Sequence, residues 1–245
     1  MLRLISYLAP SIPKGFYETV ASAISDGTGM EVDLKFEERF SGPLPDDDNP
    51  FANYTADVGF ICAPTYQWSR EKLELLPIPV PSDRRSLGRA VYFADVTVPA
   101  DSCSRTIADL RGCRWAYNDR NSLSGWFSMV EHIAPEQPYE FFGDIRQSGS
   151  HLESLHLLHR GEVDAAAIDS NALIYYLKNK QDNSLRVIGS LGPFPIQPVV
   201  IRSSIDDEIK QVVRKSLLDA HYKFGEQFKS FGFSHFVEGE SVLYD

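Results

Sequence analysis

The sequence predicts an α/β protein built as two lobes. Strand-like and helix-like segments alternate along most of the 245 residues, a pattern typical of sheets that contain parallel strands. Residues 95–192 contain a complete series of strand and helix units of their own. The last predicted strand and helix have no partners within that block. We therefore expect them to complete the smaller set of elements in residues 1–90.

Composition is that of an ordinary globular chain and argues against several functions. Hydrophobic residues make up 43% of the sequence and charged residues 24%. The formal net charge is −10 and the Lys and Arg residues are scattered, whereas nucleic-acid binding needs a basic surface. No apolar run approaches the roughly 18 residues of a membrane-spanning helix. Cys62, Cys103 and Cys113 include no CxxC pair and are expected to be thiols.

In the first part of the chain, hydrophobic periodicity predicts strands with one helix. Val32, Leu34 and Phe36 alternate with charged residues, as in a half-buried strand. Pro77 and Pro79 interrupt another apolar segment, which favours an edge strand or a bulge. The predicted elements are strand 2–8, helix 16–25, strand 31–36, strand 56–62, strand 73–80 and strand 89–98.

The middle of the chain is predicted to be richer in helix. Leu152, Leu155 and Leu158 recur at the spacing of one helix face, and Gly161 ends that segment. The predicted elements are helix 104–110, strand 113–116, a helix from about 126 to 133, strand 139–145, a helix from 151 to about 160, strand 163–168, helix 171–178 and strand 185–188.

The chain then returns to the first lobe through a stiff Gly-Pro-Phe-Pro crossing. Strand 198–202 precedes a long helix, 206–230, whose apolar residues follow a 3.6-residue period. We therefore predict a discontinuous lobe 1, residues 1–93 plus 194–245, and a lobe 2, residues 94–193, with a ligand cleft between them. Because ligands of open α/β sheets bind beyond the carboxyl ends of the strands, the polar loops after the strands are expected to face this cleft.

The polar stretch Tyr117–Trp126 is the main candidate for a ligand site. It follows a strand and precedes an apolar-periodic helix. Ser122 and Ser124 are residue types that cap helices, and the first helical turn carries backbone N–H groups without intrahelical partners. Those donors, two hydroxyls and the positive end of the helix dipole suit a small anion. An ordinary capped helix is the alternative explanation.

Three other loops follow strands and are candidates for the same cleft. His151 begins a helix after Gly149 and Ser150, where it could bind a ligand or occupy a helix end. Asp169 follows a strand and could equally be a plain helix N-cap. In lobe 1, Tyr66 follows one strand and Tyr7 ends another. Amphipathic tyrosines there could cover a ligand or form the rim of the core.

Six sequence motifs follow one another along the chain. They are Thr106-Ile107-Ala108-Asp109-Leu110-Arg111-Gly112, Asn121-Ser122-Leu123-Ser124-Gly125, Gly149-Ser150-His151, Val163-Asp164-Ala165-Ala166-Ala167-Ile168-Asp169, Gly192-Pro193-Phe194-Pro195 and Phe231-Gly232-Phe233-Ser234-His235-Phe236. In this order the chain resembles the phosphate- and phosphonate-type substrate-binding proteins of ABC transporters, from about residue 56 to 240. The Ser-x-Ser-Gly loop and the Ser-His pair are the most specific part of the resemblance.

The resemblance implies a type 2 periplasmic-binding-protein fold, in which each lobe is a mixed, mostly parallel sheet flanked by helices. It also implies non-enzymatic binding of a small phosphorus oxyanion: phosphate, phosphite or a phosphonate. The implied ligand contacts are Ser122, Leu123 through its backbone, Ser124 and His151, and the other candidates are Tyr7, Tyr66, Asn121, Gly125 and Asp169. The implied partner is an ABC transporter permease. We expect no cofactor, no metal, no nucleic acid and a monomer.

Two features depart from the family pattern. Some members bind the amine of aminoalkyl phosphonates with acidic residues, and those positions fall near Asn171 and Gln197, which are neutral here. Asp169 lies one turn away and could substitute. The sequence therefore does not favour 2-aminoethyl phosphonate over another small phosphorus oxyanion. Residues 1–8 are too short for the apolar region of a signal peptide, which predicts a cytoplasmic protein, or a periplasmic one if the chain is a processed form.

Two other classes of function are alternatives. A cytoplasmic enzyme on the same fold, of the type found in menaquinone or pyrimidine-precursor pathways, could use Ser124, His151 and Asp169 as nucleophile, base and orienting acid. However, the sequence has no G-x-S-x-G elbow, and a serine at a helix N-cap already has a structural role. A ligand-sensing module would use the same cleft as its input.

Metal binding is less well supported by the sequence. His156 and His159 lie at facing helical spacing but lack a third ligand, even with His151 on the same helix. The loop Gly42–Pro50 carries three consecutive aspartates, Asp46–Asp48, without ligand spacing. We predict that this loop is solvated.

Overall fold

A computed structural model describes residues 1–9, 11–37, 42–43, 48–180 and 183–244. The strands are β1 (Leu2–Ser6), β2 (Val32–Phe36), β3 (Val58–Phe60), β4 (Leu73–Leu75), β5 (Ile78–Pro81), β6 (Val91–Pro99), β7 (Arg114–Tyr117), β8 (Asp144–Gln147), β9 (Ala165–Asp169), β10 (Leu185–Pro195), β11 (Val199–Arg202) and β12 (Phe233–Val237). The α-helices are α1 (Lys14–Thr28), α2 (Ala63–Ser69), α3 (Ser128–Ile133), α4 (Pro138–Phe141), α5 (His151–His159), α6 (Ser170–Lys180) and α7 (Asp207–Ser230). Asp46 and Asp47 of the predicted solvated loop lie outside the described residues.

The described chain divides into two compact units. Unit 1 contains Met1–Val91 and Pro195–Asp245, and unit 2 contains Tyr92–Phe194. Unit 1 is therefore discontinuous in sequence, while unit 2 is a single segment.

The main sheet of unit 1 has the strand order β2-β1-β3-β11-β4. β1 pairs in parallel with β2 and β3, whereas β11 runs antiparallel to β3 and β4. Val200 of β11 lies opposite Gly59 on one side and Leu75 on the other. A strand from the last fifty residues thus lies between two strands from the first ninety. A second, two-stranded sheet pairs β12 with β5.

The core of unit 1 is aromatic and lies under two packed helices, α1 and α7. The ring of Phe16 in α1 lies 4.4 Å from that of Phe233 and 5.9 Å from that of Phe228, measured between ring centres. The helices also approach closely at Gly27, where an added Cβ would lie 2.0 Å from Oγ of Ser216. Glycine is required here for space, because any side chain would overlap α7.

The sheet of unit 2 has the order β10-β6-β9-β7-β8 and is also mixed. β7 pairs in parallel with β8 and β9, while β6 is antiparallel to β9. Successive residues of β9 enter different clusters: Ala165 and Ala167 pack with Trp115 on one face, and Ala166 and Ile168 pack on the other. Because side chains alternate across a strand, this sheet is buried on both faces.

Local structure differs from the sequence prediction in several places. The predicted strand 185–188 continues through the Gly-Pro-Phe-Pro segment as β10, and the predicted helix 104–110 is a 3-10 turn at Ile107–Leu110. Residues 139–145, predicted as a strand, begin with helix α4, because Pro138 opens it and Gln137 and Glu140 form a capping box. The predicted strand 73–80 divides into β4 and β5 around Pro77. The predicted loop after β3 is helix α2, and β12 was not predicted.

Candidate functional site

The loop after β7 is held in shape by two buried polar side chains, Asn118 and Asp119. Nδ2 of Asn118 donates a 3.0 Å hydrogen bond to Oδ2 of Asp119. Oδ1 of Asp119 accepts from the backbone N–H of Asn121 at 2.8 Å. These bonds fix the path of the chain from the end of the strand to the start of the next helix.

That helix begins with a widened turn at Ser122. The Ser122 hydroxyl caps the helix by accepting from the N–H of Gly125 at 3.0 Å. The Ser122 carbonyl accepts from the N–H groups of both Trp126 and Phe127 at 3.1 Å, and the second of these bonds spans five residues. Residues Leu123–Phe127 consequently form one π-helical turn before α3. The first turn presents N–H groups that have no intrahelical partner.

Gly125 allows the loop and this turn to pack together. A Cβ at Gly125 would lie 1.8 Å from Oδ1 of Asn118, well inside contact distance. Oδ1 of Asn118 is buried and accepts no hydrogen bond from any described residue. The glycine of the Ser-x-Ser-Gly motif is therefore required by the side chain of Asn118 rather than by backbone conformation.

A second helix, α5, starts beside this turn. The backbone N–H of Gly149 donates to the Asn118 carbonyl at 2.9 Å, which joins the two loops. Ser150 caps α5 by accepting from the N–H of Glu153 at 3.0 Å. The hydroxyl of Ser148 lies 2.7 Å from that of Ser154 and 3.1 Å from the Tyr117 carbonyl, so it ties α5 to the end of β7.

Ser124 and His151 bring the first turns of the two helices into contact. Oγ of Ser124 lies 3.1 Å from Nε2 of His151, and both residues are buried. Burial lowers the pKa of His151 from 6.5 to about 4, and a hydrogen bond with the Ala167 backbone opposes this shift. The imidazole is therefore neutral at pH 7.

Asp169 ends β9 and caps α6. Its Oδ1 accepts from the N–H of Asn171 at 2.8 Å and from that of Ala172 at 3.5 Å. The structural role considered from the sequence is thus present. Nδ2 of Asn171 is buried and donates no hydrogen bond within the part of the chain that the structure describes.

The residues predicted from the sequence divide between the units. Unit 2 brings Ser122, Ser124 and Gly125 together with His151, while Asn121 and Leu123 lie in the same loop and turn.

Tyr7 and Tyr66 belong to unit 1. The N–H of Tyr7 donates to the Phe60 carbonyl at 3.2 Å, and the Tyr66 ring lies 5.4 Å from that of Tyr244 in an edge arrangement. Both tyrosines are buried. Their assignment to the ligand site stays a prediction from the sequence.

Sequence reasoning gave no individual role to Asn118 and Asp119, which lie within the candidate stretch Tyr117–Trp126, and it missed Ser148. Asn118 and Asp119 directly follow a buried strand, and consecutive polar residues at that position could have indicated a fixed loop. Ser148 gives no such signal, because its role depends on the approach of α5 to β7.

Two further observations concern metal ligands and membrane-spanning helices in the described residues. Within residues 1–9, 11–37, 42–43, 48–180 and 183–244, no group of three or more His, Cys, Asp or Glu side chains is arranged to hold a metal ion. None of the helices in those ranges combines the length and apolar character needed to cross a bilayer.

Fold and chain path define a two-lobed α/β protein of the periplasmic-binding-protein type, with mixed sheets flanked by helices. The family model described as "ABC transporter, phosphonate, periplasmic substrate-binding protein" matches residues 4–244. The chain belongs to this family of non-enzymatic substrate-binding proteins. No curated protein matches it in sequence.

Solved structures have the same fold at low sequence identity. A binding-protein component of an ABC phosphonate transporter from Pseudomonas aeruginosa has a TM-score of 0.84 at 16% identity, over 99% of this chain and 82% of that one. PhnD1 from Prochlorococcus marinus in complex with methylphosphonate has a TM-score of 0.78 at 14% identity, over 100% and 94%. A Xanthomonas citri protein bound to ATP has a TM-score of 0.68 at 16% identity, over 99% and 92%.

Proposed function

We propose that this chain binds a small phosphorus oxyanion, either phosphate, phosphite or a phosphonate, without transforming it, and delivers it to an ABC transporter permease. Family membership supports the class of ligand and partner. The observation that carries the proposal for this chain is the 3.1 Å contact between Ser124 and His151, which joins the first turns of two helices.

The electrostatics of this region favour an anion. Each helix N-terminus carries a partial positive charge and outward-facing N–H donors. Ser122 caps one helix and Ser150 caps the other, so two such ends meet at the Ser124–His151 contact. The net charge of −10 does not oppose binding, because a few aimed N–H groups dominate the field over a short distance.

The proposed ligand contacts are hydrogen-bond donors from the turn and from α5. The Ser122 and Ser124 hydroxyls and the Leu123 N–H supply them, and the His151 ring donates when a bound anion favours its protonated form. Asn121, Gly125, Asp169, Tyr7 and Tyr66 complete the proposed set.

The state of His151 supports binding rather than catalysis. A general base acts best when its pKa lies near the working pH, whereas burial holds the pKa of His151 at about 4. No carboxylate is among the causes of that shift. Oδ1 of Asp169 serves the N-terminus of α6. A Ser-His-Asp nucleophile system therefore has little support in this geometry.

The carboxylate at the start of α6, Asp169, already accepts hydrogen bonds from the N–H groups of Asn171 and Ala172, which leaves less support there for the amine of an aminoalkyl phosphonate. Asn171 is buried and neutral, and its free amide nitrogen is a donor that would repel an ammonium group. We therefore expect methylphosphonate, phosphite or phosphate to bind at least as tightly as 2-aminoethyl phosphonate.

Thermal unfolding with added ligand tests this function. Phosphate, phosphite, methylphosphonate and 2-aminoethyl phosphonate are each added to the full chain, with sulfate as a competing anion. A ligand at one hundred times its Kd stabilises the folded state by about 2.7 kcal/mol. Ser124→Ala and His151→Gln are expected to remove the ligand-dependent increase in melting temperature, because each removes a side chain at the contact.

Two variants of unit 2 serve as controls. Thr106→Ala removes a cap elsewhere in the unit, and His132→Gln replaces an exposed histidine. Both are expected to keep the full ligand-dependent shift. If no phosphorus oxyanion raises the melting temperature of the wild-type chain, or if Ser124→Ala responds like Thr106→Ala, the proposed function is wrong.

A further inference from the structure

A pocket of about 430 Å³ in unit 1 contains two histidines that the proposed ligand site does not use. His221 lies in α7 and His235 lies in β12, and both line this pocket. The other lining residues are Tyr222, Lys223, Gly225, Glu226, Lys229 and Ser234. Both histidines are partly accessible to solvent, so a small solute can reach them.

The hydrogen bonds of His221 define its tautomer. Nδ1 of His221 lies 2.8 Å from the backbone carbonyl of Leu218. A carbonyl oxygen can only accept, so Nδ1 carries the proton in this bond. In the neutral ring the other nitrogen, Nε2, then has a free lone pair.

The tautomer of His235 follows in the same way from the hydrogen bonds of its neighbour Ser234. The hydroxyl of Ser234 donates to the Val80 carbonyl at 3.2 Å. Its single proton is therefore committed, and at its 2.9 Å contact with Nδ1 of His235 the hydroxyl must accept. Nδ1 of His235 is the donor, so Nε2 of this neutral ring is also unprotonated.

The two rings have a geometry that one metal ion can span. Imidazole binds metals through an unprotonated nitrogen at about 2.0 Å, which places two rings on the same ion with centres roughly 5–6 Å apart. The ring centres of His221 and His235 are 6.2 Å apart, with an angle of 68° between the ring planes. The separation of the two rings is therefore close to the separation that one shared ion requires.

The hydrogen bonds donated by Nδ1 of the two rings resemble those that hold metal-binding histidines in place. A ligating imidazole usually donates its other N–H to a carbonyl, carboxylate or similar acceptor, which fixes the ring and raises the basicity of the ligating nitrogen. Leu218 and Ser234 are those acceptors here. In the described ranges, no hydrogen bond engages Nε2 of either ring.

The charges around the pocket do not exclude a cation. Lys223 is paired with Asp26, and Nζ of Lys229 lies 2.7 Å from Oε1 of Glu226. Each lysine is thus offset by a carboxylate. The pocket adds no uncompensated positive charge next to the two imidazoles.

We propose that His221 and His235 form a binding site for a divalent transition-metal ion, with water completing the coordination. Imidazole ligands suit Cu²⁺, Ni²⁺ and Zn²⁺, and among these Cu²⁺ is bound most tightly by a given set of ligands. Because only two protein ligands are present, the ion exchanges and is not required for folding. This site lies in unit 1 and is independent of the oxyanion site of unit 2.

Titration with Cu²⁺ tests the site in the full chain at pH 7.5. A Cys103→Ser, Cys113→Ser background removes the two thiols that are not buried. We expect one Cu²⁺ to bind with an electron paramagnetic resonance spectrum showing two equivalent nitrogen ligands. His221→Gln and His235→Gln should each weaken binding at least tenfold, and Zn²⁺ should compete with Cu²⁺.

Other histidines of the chain provide the controls. His132→Gln and the double variant His156→Gln, His159→Gln are expected to bind Cu²⁺ like the background protein. Circular dichroism of each variant distinguishes loss of the site from loss of the fold. The site does not exist if binding survives both the His221 and the His235 substitutions, if the α5 double variant removes it, or if the wild-type spectrum shows a single nitrogen ligand.

Discussion

His151 is a buried titratable residue of unit 2. The residue is only 6% exposed, and its ring contacts the Ser124 hydroxyl. Burial without a neighbouring carboxylate penalises the imidazolium, which lowers the pKa of the ring to about 4. A bound anion would favour the charged form, so the same burial that disfavours protonation strengthens the response of this ring to a ligand.

The free energy of unfolding should decrease as the pH is lowered, because of the buried ring of His151. The unfolded chain binds a proton below about pH 6.5, while the folded chain resists doing so until about pH 4. The folded state therefore loses stability as the pH drops through this window. From these two values, the loss between pH 7.5 and pH 5 is about 2 kcal/mol.

Urea unfolding of the wild type and His151→Gln at the two pH values measures this loss. The variant lacks the titrating ring, so its stability should fall by about 2 kcal/mol less than that of the wild type. His132→Gln, which changes an exposed ring, should behave like the wild type. Equal pH dependence in wild type and His151→Gln would contradict the assigned pKa.

Residues of the candidate site were predictable from sequence where their role is local. Ser122 was recognised because a capping serine acts within its own helix turn, and the structure confirms this cap. Oδ1 of Asn118 explains why Gly125 cannot carry a side chain, and the sequence could not reveal this because the contact spans the loop. The contact of Ser124 with His151 likewise joins residues 27 positions apart.

At the level of elements, unit 1 depends on the close packing of α1 and α7. Gly27→Ala would place a methyl group 2.0 Å from Oγ of Ser216 and 2.7 Å from its Cβ. Alanine favours a helix by about 1 kcal/mol over glycine, but overpacking costs about 1–3 kcal/mol. Because the clash is with α7 itself, we expect a net destabilisation of up to about 2 kcal/mol, measured by chemical denaturation.

A matched substitution in α7 separates packing from helix propensity. An added Cβ at Gly225 meets nothing within 4 Å, so Gly225→Ala should stabilise the chain by up to about 1 kcal/mol. In a Ser216→Gly background, Gly27→Ala should become neutral or stabilising. Destabilisation that persists in that background would place its cause outside this helix pair.

The long amphipathic helix α7 was predictable, whereas the short elements α4 and β12 were not. Helix α7 was predicted from its repeating apolar positions, and the structure gives Asp207–Ser230 with Asp206 as the N-cap. Helix α4 has only four residues, so its apolar residues resembled a strand, although Pro138 was a start signal. Strand β12 exists because β5 is available to pair with it, which is a tertiary contact.

At the scale of the molecule, unit 2 contains both of its apolar clusters within its own segment. Trp115, Phe142 and their neighbours fill one face of its sheet, and Leu155, Leu158 and Ile168 fill the other. Neither cluster includes a described residue of unit 1. The sequence predicted a continuous set of strand and helix units in residues 95–192, because the alternation of strand-like and helix-like segments can be read directly along the chain.

The segment 92–194 should therefore fold when it is produced alone. A domain with its own core unfolds cooperatively, so we expect a single sigmoidal thermal transition by circular dichroism. A matched fragment, 1–91, lacks β11 and α7 and should show no such transition. If the 92–194 fragment melts without cooperativity, its stability depends on unit 1.

The position of β11 between β3 and β4 also has a consequence for protein synthesis. A ribosome completes all strands of unit 2 when residue 195 has been added, while the sheet of unit 1 still lacks a central member. Until Val199–Arg202 is made, β3 and β4 each present an unpaired edge, the kind of surface that other chains can join. Translation that stops shortly after unit 2 thus yields a chain with all strands of unit 2 but with an incomplete sheet in unit 1, whose unpaired strand edges can associate with other chains. The residues that are synthesised first are therefore the most prone to aggregation, and they stay so until late in the synthesis of the chain.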